Sequence, residues 1–189
     1  MLLETLTDEI LVGMYVEGKE AAFEELVKSY TAHIQFVIHL ILLNRLAVEV
    51  GAQEVWVAFF KNPKRFDPKK ASFKTWIHAI AVNKGIDLKR KNNRQKTTPL
   101  DSLLSEPAAR FMSGINRIAL FRELSLLGVQ ERAMVALELA GFTQAEIAET
   151  TNVSLTRLYP ILIVRKVAIH GHSTEVGEFF AVTPKTLTA

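Results

Sequence analysis

The spacing of the apolar residues constrains this chain most. They recur three and four apart along nearly its whole length, and no stretch alternates as a half-buried strand would. Phe23, Leu26, Val27, Tyr30, Ile34, Val37, Ile38 and Ile41 keep this period within residues 20–46. Val55, Trp56, Phe59 and Phe60 keep it within 49–60, and Phe73, Trp76, Ile77, Ile80 and Ala81 within 73–94. The punctuation agrees. Thr7 precedes Asp8 and Glu9, a cap followed by acids in the first turn. Gly18 marks a break, Asn62 and Pro63 stop the third helix, Pro68 lies in a loop over 65–71, and Ser72 caps the next helix. A second helical block begins near Ile115, runs through Leu120, Leu124 and Leu127, and is interrupted at Gly128 and Gly141. Between the blocks, Lys96 to Ser113 carries Pro99 and Pro107 and no sustained period. The pattern predicts an all-α fold of two small helical domains, at 1–95 and 115–172. A linker over 96–114 joins them, and 173–189 forms a tail.

The charge is as uneven as the hydropathy is regular. Residues 1–60 hold three bases and nine acids, net −6. Residues 61–96 hold twelve bases and two acids, net +10. The remaining residues, 97–189, are net −1. Ten excess positive charges in one short segment, interleaved with Phe66, Phe73 and Trp76, describe a surface for a polyanion. Bases neutralise phosphates and aromatic rings can stack on nucleobases, so nucleic acid is the expected partner.

Phe142 to Leu162 reads as a helix-turn-helix. Thr143 opens the first helix, Gln144 and Ala148 lie four apart, and small Ala148 allows a close crossing. Asn152 occupies the turn, where a positive φ is needed and asparagine ranks after glycine. Val153 and Leu158 plug the angle between the helices, and Ser154 caps the second. Ser154, Thr156, Arg157 and Tyr159 are the candidate base or phosphate contacts. Pro160 falls inside the second helix, where it removes one backbone donor.

Together these residues resemble a bacterial RNA polymerase sigma factor of the two-domain, extracytoplasmic-function group, over about residues 7–170. Gly18, Ala22, Phe23, Leu26 and Tyr30 match the family's first helices. Gln53–Glu54–Val55–Trp56 resembles the core of its polymerase-docking helix. Phe66–Asp67, Ser72–Phe73–Lys74–Thr75–Trp76–Ile77, Ile80–Ala81–Val82–Asn83, Asp87 and Arg90 resemble its promoter-melting segment. The resemblance implies a transcription initiation factor that binds core polymerase, directs it to promoters and helps open them. It implies that Gln53, Glu54 and Trp56 bind core polymerase. It implies that Lys69, Lys70, Ser72, Lys74, Thr75, Asn83, Lys84, Lys89 and Arg90 bind DNA, with the loop Asp67–Ser72 helping to capture an extruded base. Core RNA polymerase and promoter DNA are the implied partners, and an anti-sigma protein is a further one. The alternatives are a stand-alone helix-turn-helix regulator, or a sigma-like decoy that starts no transcription.

Two departures fall in the docking helix. Val50 stands where the family usually has aspartate, and Gly51 where leucine is common. The second domain departs as well, with Arg157–Leu158–Tyr159–Pro160–Ile161 in place of a more basic run. No catalytic constellation is expected, nor a metal site or cofactor. The chain has no cysteine. No apolar run reaches the roughly 18 residues a membrane span needs. The N-terminus carries acids where a signal peptide carries bases. The expectation is a cytoplasmic protein without membrane insertion.

Overall fold

The computed structural model describes residues 6–94 and 117–154. The expected linker and tail, the second helix of the helix-turn-helix, and Thr156, Arg157, Tyr159 and Pro160 lie outside them. Every described element is helical. They are α1 (Asp8–Val16), α2 (Glu20–Leu42), a 3-10 turn (Arg45–Ala47), α3 (Val48–Lys61), a second 3-10 turn (Pro63–Arg65) and α4 (Phe73–Arg94), then α5 (Arg117–Ser125), α6 (Val129–Leu139) and α7 (Gln144–Thr151). None of these helices is long and apolar enough to cross a membrane.

Local chemistry sets the boundaries. Ser72 caps α4, its Oγ accepting the Thr75 backbone N–H at 3.2 Å. Thr143 caps α7 reciprocally: its Oγ1 accepts from the Glu146 N–H at 3.3 Å, and the Glu146 carboxylate accepts from the Thr143 N–H at 2.8 Å. Thr7 occupies the cap position of α1, but its hydroxyl makes no capping bond. The helix expected over 20–46 ends earlier, at Leu42, because Leu43 turns left-handed at φ 52° and its N–H closes on the His39 carbonyl. The α6–α7 corner turns on Gly141, at φ 81°. There the Phe142 N–H reaches back to the Leu137 carbonyl at 3.1 Å, a Schellman closure. Asn152 repeats that closure at the end of α7 with φ 55°, as its place in the sequence led one to expect.

Helix α2 organises the molecule. From Ile34 to Leu42 only Gln35 escapes full burial, so this stretch is covered all round rather than along one stripe. Leu26, Ile34, Ile38 and Leu42 face a first core that they share with α1, α3 and α4. That core is rich in rings: Phe59, Phe66 and Phe73 are buried in it, and Trp76 and Phe23 pack around it. Phe36, Val37, Leu40 and Ile41 face the other way. They join Val82 and Ile86 of α4 with Leu120, Leu124, Leu127, Met134, Val135, Leu137, Phe142 and Ile147 in a second core. The second helical block is therefore packed on the first through a common apolar interior.

Buried charges reinforce the joint. Arg132, 9% exposed, donates to the carbonyls of Leu124 at 2.8 Å, Ser125 at 3.5 Å and Ile41 at 3.3 Å. Lys89 donates to the Leu42 carbonyl at 3.2 Å. The open carbonyls at the C-terminus of α2 thus meet two cations, which the helix dipole also favours.

Candidate polymerase and nucleic-acid interfaces

Helix α3 presents its outward face through Val50, Gln53, Val57 and Phe60, all exposed, with Glu54 at its edge. Trp56, expected on this face, lies on the other side. It is buried among Phe23 and Phe59, and its indole N–H donates to Thr31 Oγ1 at 3.1 Å. A satisfied, buried indole holds α3 to α2 rather than facing outward. Gly51 also points inward. A Cβ there would lie 3.0 Å from Leu88 Cδ1 and 3.2 Å from Ile38 Cγ2. The missing side chain is what lets α3 pass close to α2 and α4. Of the two departures in this helix, only Val50 changes the exposed surface.

Helix α4 and the loop before it carry the basic segment. Lys69 and Lys70 are exposed on the loop, where the Asp67 carboxylate accepts the Lys69 N–H at 3.0 Å and pairs with Lys70 at 3.8 Å. Phe66 closes the loop from inside, its ring edge-on to Phe73 at 5.5 Å. Ser72 is exposed at the helix start. Asn83 and Arg90 are exposed further along, and Lys84 is half-buried beside them. Arg90 pairs with Asp87 at 3.7 Å, and Lys84 with Glu54 of α3 at 3.3 Å. The Lys84–Glu54 pair brings the basic flank of α4 against the outward face of α3, so the two candidate surfaces adjoin.

Three residues expected on DNA are engaged elsewhere. Thr75 is 4% exposed, and its hydroxyl is hydrogen-bonded to Ser72 Oγ at 3.0 Å. It completes the helix cap and offers nothing outward. Lys89 closes the end of α2, and burial together with the nearby Arg132 cation lowers its pKa. Its ammonium already has a structural partner. Lys74 is covered by the second block: its Nζ sits 4.0 Å from the Phe142 ring centroid and 3.9 Å from the Glu146 carboxylate. Glu146 itself is held below the usual carboxylate range, first by the Thr143 N–H. In the described part of the helix-turn-helix, Ser154 is exposed after Asn152.

Comparison with known proteins gives the same resemblance. The profile for sigma-70 region 2 matches residues 26–95, the span of α2 through α4. The ECF RNA polymerase sigma factor SigW of Bacillus subtilis is 28% identical over 172 residues, covering 90% of this chain and 83% of its own. The ECF sigma factor RpoE of Cereibacter sphaeroides is 29% identical over 141 residues, covering 72% of this chain and 77% of its own. Over most of its length the chain is similar to extracytoplasmic-function sigma factors. Two solved structures share its fold. CnrH in complex with the cytosolic domain of CnrY aligns with a TM-score of 0.63 and 21% identity, over 85% of this chain and 93% of that one. The sigma factor RpoE in complex with the anti-sigma factor NepR from Bartonella quintana aligns with a TM-score of 0.62 and 14% identity, over 85% and 97%.

Several residues that matter to the surfaces of this chain were not legible in the sequence. Phe142 and Glu146 were read as parts of a helix-turn-helix, yet they also cover Lys74. His78 was passed over. It is fully buried, donates its Nδ1–H to the Lys74 carbonyl at 2.8 Å, and meets the Phe142 ring at 4.7 Å. His39 is likewise buried and edge-on to Phe121 of α5 at 5.4 Å. Burial lowers the pKa of each to about 4, with Arg45 adding to the effect at His39. Both histidines therefore stand neutral at the joint between the blocks. An apolar run with a histidine inside it was the one signal that could have marked them.

Proposed function

We propose that this chain is a sigma factor that docks on core RNA polymerase through the outward face of α3, with Gln53 and Glu54 as its polar contacts. The loop Asp67–Ser72 and the flank of α4 carrying Asn83, Lys84 and Arg90 hold the promoter. The observation that carries this reading is the Lys84–Glu54 pair at 3.3 Å, which sets a polar docking face beside a basic flank in one rigid block. A polyanion on α4 and a protein on α3 can then be held together. The loop offers Lys69, Lys70 and Ser72 to the backbone of an extruded strand, and these contacts offset part of the few kcal/mol that extrusion costs.

The chemistry of RNA synthesis belongs to the polymerase, so this chain supplies binding and no catalytic step. Its place of work is the cytoplasm, where core polymerase and promoters are. The helix-turn-helix that begins with α7 serves the upstream promoter element. An anti-sigma protein is a fitting further partner, since both solved neighbours are held by another protein, in one case an anti-sigma factor. A stand-alone regulator would have no use for an exposed Gln53–Glu54 face beside the melting helix.

The experiment is a titration of the full chain against bacterial core polymerase, then of that complex against a promoter. Gln53→Ala/Glu54→Ala is expected to lose polymerase binding with the fold intact. Lys84→Ala/Arg90→Ala is expected to keep polymerase and weaken the promoter complex. Its log–log salt slope should fall by roughly 0.7 to 0.9 per lost phosphate contact. Micromolar core polymerase leaving the wild-type chain unbound would defeat the reading in favour of the free-standing regulator.

A further inference from the structure

The bases of the positive segment are not equally occupied. Within α4, Lys74, Lys84 and Arg90 each face a carboxylate, and Lys89 faces the Leu42 carbonyl. The corner before α4 differs. Residues 61–70 hold five bases, Lys61, Lys64, Arg65, Lys69 and Lys70, against one acid, Asp67. All five bases are exposed. Asp67 pairs with Lys70 at 3.8 Å, and Lys61, Lys64, Arg65 and Lys69 have no ion pair among the described residues. The backbone holds this cluster in one shape. The Arg65 N–H donates to the Asn62 carbonyl at 3.1 Å, the Phe66 N–H to the Pro63 carbonyl at 3.2 Å and the Lys70 N–H to the Asp67 carbonyl at 3.0 Å. Phe66, the one ring in residues 61–70, is 8% exposed and pins the corner to the aromatic core. The corner therefore turns charge outward and its ring inward.

We propose that Lys61, Lys64 and Arg65 form a landing site for double-stranded DNA, which takes the duplex by its phosphates before any base is read. The inference extends the reading of the adjoining loop and α4 as the promoter surface, and it rests on that reading. Sites for single strands combine charge with rings that stack on unpaired bases. A duplex keeps its bases stacked inside and meets a protein first through its phosphates, which cations alone can hold. A corner of unpaired cations without an outward ring fits the second case. A cation that already has a carboxylate partner must give it up to gain a phosphate, so each corner base adds more net attraction than a paired base of α4. The field of the corner also reaches about a Debye length, roughly 8 Å at physiological salt, and so steers the approach of a polyanion. The corner then governs how readily any duplex is met, and the flank of α4 governs which sequence is kept.

The test titrates the full chain with a fluorescent duplex of random sequence, and with one of its separated strands, over a range of salt. Lys61→Gln/Lys64→Gln/Arg65→Gln is expected to weaken duplex binding about tenfold at low salt, with the unfolding midpoint unchanged. Its log–log salt slope should fall by roughly 2 to 3, about 0.9 for each lost phosphate contact. Lys61→Arg/Lys64→Arg/Arg65→Lys keeps the charge and should bind as the wild type does. Lys84→Ala/Arg90→Ala should lower the slope by less, because both cations are already paired. The glutamine variant at wild-type duplex affinity, with Lys84→Ala/Arg90→Ala weakening it, would overturn the landing site and leave α4 as the DNA helix. Wild-type affinity in both variants would overturn the promoter reading of α4 as well. A loss confined to the single strand would overturn the assignment to duplex. Loss of core polymerase binding in the glutamine variant, with duplex binding kept, would move the corner to the protein interface and overturn the proposal. A wild-type chain that leaves the duplex free at low salt would overturn it too.

Discussion

The two cores of this molecule are built differently. The first is aromatic and closed within α1 to α4. Phe59, Phe66 and Phe73 pack edge to face in it, Trp76 lies over Phe59 and Phe66, and the Trp56 indole is satisfied by Thr31. The second is largely aliphatic and open on one side until α2 and α4 complete it with Phe36, Val37, Leu40, Ile41, Val82 and Ile86. One block thus owns its interior, while the other borrows a wall. The lesson is that the proposed docking and promoter surfaces stand on the self-sufficient core, whereas the second helical block depends on contact with it.

That asymmetry can be broken by substitution. Phe59→Ala removes a fully buried ring from the first core and is expected to cost about 3–5 kcal/mol. Leu137→Ala, in the second, should cost a comparable ~2–5 kcal/mol. The two should differ in what unfolds. Both tryptophans belong to the first block, so their fluorescence reports that block alone, while far-ultraviolet dichroism reports both. In denaturant, Leu137→Ala should lose helicity ahead of the tryptophan signal, and Phe59→Ala should lose the two together. Coincident transitions in both variants would mean that the blocks unfold as one unit.

Acid probes the same joint with a smaller effect. His39 and His78 are kept neutral in the folded chain, burial lowering their pKa values to about 4 from an ordinary 6.5. The groups facing His78 are Lys74 on its own helix and His33 and Tyr30 on α2; Arg45 faces His39. The unfolded or opened state binds protons first, so this contribution is complete above pH 6.5 and is lost as pH falls toward 4. Each histidine removes about 1.4 kcal/mol per pH unit at most within that window. The measurement is denaturant stability at pH 7, 6 and 5. His39→Gln/His78→Gln should flatten the dependence, and an unchanged slope in that variant would assign acid sensitivity to other groups.

The smallest effect separates packing from docking. Gly51→Leu restores a side chain common in the family but drives it into Leu88 and Ile38. Overpacking is expected to cost roughly 1–3 kcal/mol, seen as a lower unfolding midpoint. Polymerase affinity of the folded protein should not improve, because the new side chain faces inward. A gain in affinity would show that position 51 acts on the docking surface after all.

Much of this fold could be read from local chemistry. Ser72, Thr143 and Asn152 occupy the caps that their side chains suggested, and the stripe Phe73–Ile77–Ala81 is buried as its period required. What could not be read were partners distant along the chain. Periodicity says that Trp56 and Lys89 lie on helices, but not that Thr31 and the Leu42 carbonyl wait for them. The conspicuous clue was the run from Phe36 to Leu43, apolar but for His39. A helix buried along one stripe has no need of it, and one serving two interiors does. Among the site residues, Gln53, Asn83 and Arg90 are exposed as expected, while Thr75 and Trp56 show how a motif mixes contact residues with those that support them.

The shared wall of α2 also sets rules for recombination. Exchanging the second helical block for that of a relative would leave Phe36, Val37, Leu40 and Ile41 facing a foreign interior. A functional chimera would have to carry those four positions with the transplanted block, although they lie far upstream of it. The natural unit of inheritance for the second block therefore includes one flank of a helix in the first.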